Sequence, residues 1–197
     1  MAVDTNRQRG NRRPGFGLGS MVATSVALVL SGVGPCNHSH HDTGPAKITA
    51  EQTDSGPPSQ FKTCHGMSTH ATLFRKLKPP RVIASTKIWS HCWVGGFTGT
   101  AAVLIGDADG DMLADLPAGE SWGVNGLAES GAGGGPSDRL IAWQVNVEDR
   151  SVLRLARTLS IVNSPAPRNR VLDILSQAVA TGKKLIAVAA EIAALTE

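Results

Sequence analysis

A chain of 197 residues matches one ordinary domain and is long enough to bury a core without metals or a disulfide framework. Aromatic residues make up only 4%, with no Tyr and four Trp, so the core must be built from Val, Ile, Leu and Ala. The formal charge of +3 is uneven: residues 1–80 hold nine Lys/Arg against four Asp/Glu and residues 81–197 hold ten against twelve, which denies the globular part the basic stripe of a nucleic-acid binder.

Residues 1–35 read as an export signal. Arg7, Arg9, Arg12 and Arg13 precede an uncharged stretch from Phe16 whose apolar centre is Met21 to Val33. That centre is shorter than the roughly 20 residues a membrane span needs, so no transmembrane span is expected. A secreted or cell-envelope location follows if the signal operates; a basic leader on a cytoplasmic chain is the alternative.

Residues 36–80 mix His, Ser, Thr, Gly and Pro without a sustained apolar period, and are expected to be a disordered linker. A short helix is a candidate at Ser68 to Leu77, and Pro79-Pro80 marks the boundary.

Residues 81–163 predict a small antiparallel β-sandwich of five to seven strands, which places the chain in a mainly β class with a C-terminal helix. Strand patterns cover Val82 to Val94, Thr98 to Ile105, a short piece near Ser121 to Val124, Ile141 to Val147 and Leu153 to Val162. Asp109-Gly110 predicts a hairpin turn that sets Val103 opposite Leu116, Ile105 opposite Ala114 and Leu104 opposite Asp115. From 164 to 197 one long amphipathic helix is expected. Its stripe of Ile174, Leu185, Val188, Ile192 and Leu195 is too apolar to remain uncovered, so it must dock on the sandwich or on a second copy.

Three cysteines permit at most one bridge within the chain. Cys36 with Cys64 is the expected pair in an exported protein, and Cys92 is expected to be a small buried apolar residue. Cys36, His38, His40, Cys64 and His65 bring thiolate and imidazole together at short spacing, which is zinc or copper chemistry. Asp107, Asp109 and Asp111 resemble the start of a calcium loop, but Met112 stands where its glycine belongs and Ala118 where its glutamate does. Gly119-Glu-Ser-Trp-Gly123 has the spacing of a nucleophile elbow, yet all six histidines precede Ser121, against the chain order of that motif.

Strand alternation would place Trp89, His91 and Trp93 on one face, where the long C-terminal helix is expected to cover and bury both indoles, or where, left open, they stack on a sugar ring or an aromatic ligand. No complete set of acid, base and nucleophile is present, and no cofactor is implied. The expected function is a non-catalytic interaction module whose partner is a protein, a second copy of itself or a glycan. A small metal-binding protein, or an enzyme using His91 with nearby acidic residues, is the alternative.

Overall fold

The computed structural model describes residues 45–55, 64–131 and 134–196. The export signal expected over 1–35, together with Cys36, His38 and His40, lies outside them. Among the described residues, eight strands, β1 (Lys47–Ser55), β2 (His65–Phe74), β3 (Arg81–Ser90), β4 (Phe97–Gly106), β5 (Met112–Pro117), β6 (Trp122–Val124), β7 (Asp138–Asn146) and β8 (Thr158–Ser164), form two antiparallel sheets. The described residues also hold four helices, α1 (Leu127–Gly131), α2 (Arg150–Leu155), α3 (Arg168–Thr181) and α4 (Leu185–Ala193), and a turn at Ala194–Thr196.

One sheet runs β1-β2-β3-β7. In the other, β4 is central: β8 pairs along one length of it, β5 along its second half and β6 along Phe97–Gly99. Ile48, Ala50, Ala71, Leu73, Val82 and Ala84 of the first sheet pack on Val103, Ile105, Leu116, Leu159 and Ile161 of the second. Met67, Ile88, Ala101, Trp122 and Val124 continue this core toward the start of β4. The opposite face of β4 and β8, with Ala102, Leu104 and Val162, is covered by Val171, Leu175, Ala178, Leu185, Val188 and Ile192 of α3 and α4. Covered on both sides, β4 is buried from Gly99 to Gly106, which is why Ala-Ala-Val-Leu-Ile is apolar throughout instead of alternating.

The mainly β sandwich with a C-terminal helical segment is thus present, with eight strands instead of five to seven. Register around the Asp109-Gly110 turn is as expected, with Val103 opposite Leu116, Leu104 opposite Asp115 and Ile105 opposite Ala114. Asp107 sets the turn: its carboxylate accepts the Asp109 and Asp111 amides, both at 2.9 Å, and Gly110 takes φ +78°.

Several expectations are corrected. Much of 36–80 is sheet and not linker: β1 and β2 belong to the first sheet, and Ser68 to Leu77 holds a strand in place of a helix. The inward residues Met67, Thr69, Ala71 and Leu73 alternate with Ser68, His70 and Thr72, but Thr and small side chains mask the period. Leu153 to Val162 is not one strand either. Asp149 caps α2 by accepting the Ser151 amide at 2.7 Å, and β8 begins only at Thr158.

The long terminal helix is two. Gly182 adopts φ 60°, ψ 38° at the end of α3, and its amide closes on Ala178 and Val179, a left-handed stop that turns the chain back. Both halves of the apolar stripe therefore reach the same sheet: Leu185, Val188 and Ile192 are buried, and Ile174 and Leu195 are packed at their border. An interface between copies through this stripe would have to undo that core; of the large apolar side chains of α4, Ile186 faces outward. Among the described residues no helix is long and apolar enough to cross a membrane.

Candidate functional site

At the end of the sandwich where β3 stops and β4 starts, a six-residue connection carries His91 to Gly96. The expected strand to Val94 ends at Ser90, because the chain here leaves the ladder to reach α1. The Leu127 amide donates to the Cys92 carbonyl and the Ala128 amide to the Trp93 carbonyl, both at 2.8 Å. Glu129 accepts the Gly95 amide, and Gly95 takes φ +86°, a conformation that glycine adopts without steric cost.

A disulfide joins Cys64 to Cys92 with Cα atoms 5.1 Å apart, ordinary spacing for such a bond. This replaces the expected Cys36–Cys64 pair and the expected buried free thiol at Cys92. The reason is register: β2 and β3 pair His65 with Ser90, so the residues just outside that last pair are brought together. The His91 amide donates to the Cys64 carbonyl at 2.7 Å. His65, nearly buried, stacks on Phe97 with centroids 4.4 Å apart and sets Nε2 3.2 Å from Cys92 Sγ.

The three residues expected on one face occupy three different settings. Trp89 remains on the outer face of the first sheet and lies across Gly66, where an added Cβ would come within 2.3 Å of the indole. His91 is exposed. Trp93 is 73% exposed and Val94 70%, on a loop fastened by a covalent bond and backbone hydrogen bonds. Leu140, on the outer face of β7, and Leu127 add further exposed apolar surface. The terminal helices do not cover these rings, because they pack on the other sheet.

Of the metal candidates, the structure brings Cys64 and His65 together and adds Cys92, which sequence reasoning assigned to packing. The acidic turn at Asp107 to Asp111 is at the far end of β4, a ten-residue strand that spans about 33 Å, so it cannot act with His91. It serves the fold: Lys184 Nζ is 2.7 Å from the Asp111 carboxylate and donates to the Asp109 carbonyl at 2.9 Å. Lys184 is held protonated more firmly than usual by Asp111, then by the charges of Asp109 and Asp107. Ser121 of the elbow-like sequence precedes the buried Trp122 of β6, with no helix directly behind it.

A buried polar chain between the sheets had no sequence signal. The Trp143 indole N–H donates to Thr86 Oγ1 at 3.0 Å, the Thr86 and Thr69 hydroxyls are 3.0 Å apart, and Thr69 donates to Asn163 Oδ1 at 2.6 Å. Asn163 Nδ2 donates to the Gln52 carbonyl at 3.2 Å and to Asp54 Oδ2 at 3.1 Å, and Gln52 Nε2 donates to Asp54 Oδ1 at 2.9 Å. All donors with a defined direction point toward Asp54. Burial raises its pKa, and the hydrogen bonds from Gln52 and Asn163 partly oppose that rise. These groups satisfy one another and tie β8 to β1 along the open seam of the sandwich, a structural role.

Comparison with protein-family models, with characterised proteins and with solved structures yields no match.

Proposed function

We propose that the protein is an exported, non-catalytic interaction module that engages a protein or glycan surface through the loop bearing Trp93 and Val94. The observation that carries this reading is an indole 73% exposed on a loop fastened by a disulfide and by backbone hydrogen bonds. Holding a large apolar side chain in water is unfavourable, and rigidity lowers the ordering cost of binding, so an anchored, exposed Trp suits recognition better than packing. The neighbouring exposed Val94, Leu127 and Leu140 extend the apolar surface at this end. The disulfide is in keeping with an oxidising compartment and so with export.

The test compares wild type with Trp93→Ala on an array of immobilised oligosaccharides and by sedimentation over a range of protein concentrations. Glycan binding, or concentration-dependent self-association, that disappears in Trp93→Ala with an unchanged Tm supports the module. Trp93→Ala behaving as wild type in both assays, or unfolding as though a core residue had been removed, contradicts it.

A further inference from the structure

We propose that Cys64, His65 and Cys92 form a redox-gated site for a thiophilic cation, for which Zn²⁺ is the probe. The donor atoms of the three residues lie within 4.8 Å of one another, and His65 Nε2 is 3.2 Å from Cys92 Sγ. Two thiolates and an imidazole on tetrahedral zinc, with bonds of about 2.3 and 2.0 Å, stand about 3.5–3.8 Å apart. Reaching that arrangement from the disulfide requires the S–S bond to break and the sulfurs to separate, while the imidazole nitrogen, at 3.2 Å from Cys92 Sγ, needs to shift by only a few tenths of an ångström.

The second supporting observation is that each cysteine's backbone has a hydrogen-bond anchor besides the S–S bond. The Cys64 carbonyl is held by the His91 amide at 2.7 Å, and the Cys92 carbonyl by the Leu127 amide at 2.8 Å. His65 is fixed by its stack on Phe97. These anchors favour keeping both cysteines beside His65 when the bond opens. Both are part-exposed, so a reductant and a cation reach them, and a fourth position remains for water or an incoming ligand.

The chemistry balances with a named reductant. A phosphine takes oxygen from water to become the phosphine oxide, and the disulfide accepts two electrons and two protons to give two thiols. Zn²⁺ then binds Cys64 Sγ and Cys92 Sγ as thiolates, releasing the two thiol protons, and accepts the Nε2 lone pair of neutral His65. A small-molecule disulfide reverses the gate: it accepts two electrons and leaves as two thiols that take protons from water, while the re-formed Cys64–Cys92 bond expels the metal, because disulfide sulfurs carry no thiolate charge. The loop carrying Trp93 is thus attached either through a covalent bond or through a metal.

The experiment uses the full chain carrying Cys36→Ser, so that the remaining thiols are those of the site. Co²⁺ is titrated into oxidised and phosphine-reduced protein, followed by competition with Zn²⁺. The expected result is a thiolate-to-cobalt charge-transfer band in the reduced protein alone, saturating at one ion per chain and displaced by Zn²⁺. In His65→Gln, which keeps both thiols, Zn²⁺ affinity should fall by at least about tenfold. A reduced protein that shows no such band, a band of equal affinity in His65→Gln, or loss of near-ultraviolet circular dichroism on reduction before metal is added would each overturn the proposal.

Discussion

Replacing Asn163 with Ala removes a side chain that joins the two sheets across the β1/β8 seam by hydrogen bonds on both of its polar atoms. Asn163 is 1% exposed, so water does not reach its own polar atoms without rearrangement. The bonds lost include those from Thr69 at 2.6 Å, to the Gln52 carbonyl at 3.2 Å and to the Asp54 carboxylate at 3.1 Å. A neutral bond contributes about 1 kcal/mol net and one to a charged group about 1.5–3 kcal/mol. Part is recovered, because Thr69 keeps Thr86 and Asp54 keeps Gln52. The expected destabilisation is about 2–4 kcal/mol, a Tm lower by roughly 5–15 °C for a domain of this size.

The loss should also depend on pH. Burial raises the Asp54 pKa above its ordinary 3.8, so the native state holds that proton more firmly than the unfolded chain does. The contribution of Asp54 to stability is therefore fullest below the ordinary value and declines as pH climbs through the folded value. Asn163 opposes this rise by donating to the ionised carboxylate; without it the decline steepens. Scanning calorimetry of both proteins at neutral pH and at about pH 4 should show the larger Tm difference at neutral pH. A difference under about 2 °C, or one equal at both pH values, would refute the view that this polar chain holds the seam.

Gly66→Ala places a Cβ against the Trp89 indole, within 2.3 Å of Cζ2 and 2.6 Å of Cε2. The ring should be displaced into solvent, with a red shift in Trp fluorescence and a loss of about 1–3 kcal/mol in denaturant unfolding; an unchanged spectrum would contradict the packing. Gly182→Ala meets no atom within 4 Å but must hold φ +60°. The expected cost is about 1–2 kcal/mol from backbone conformation alone, measured by urea unfolding, and a neutral result would mean that α3 and α4 join in another way.

Much of the architecture was legible because burial imposes a period. The central β4, with Val103, Leu104 and Ile105 buried on both faces, and its hairpin partner β5 were readable in apolar pattern and turn chemistry. The apolar stripe from Ile174 to Ile192 announced a surface that had to be covered, but not by what. β1 and β2 were not legible, since Thr, Ser and Ala on a half-buried sheet look in composition like linker.

Local sequence determined which segments are apolar on one side, on both or on neither, because that depends on neighbouring residues alone. It determined neither the Cys64–Cys92 pair nor the grouping of His65 with them, residues 27 and 28 positions apart that meet through the β2/β3 register. Nor did it determine that Trp93 stands in water while Trp122 is buried. The indoles are chemically alike, and only the path of the chain after Ser90, drawn off the sheet by Cys64 and α1, sets them apart.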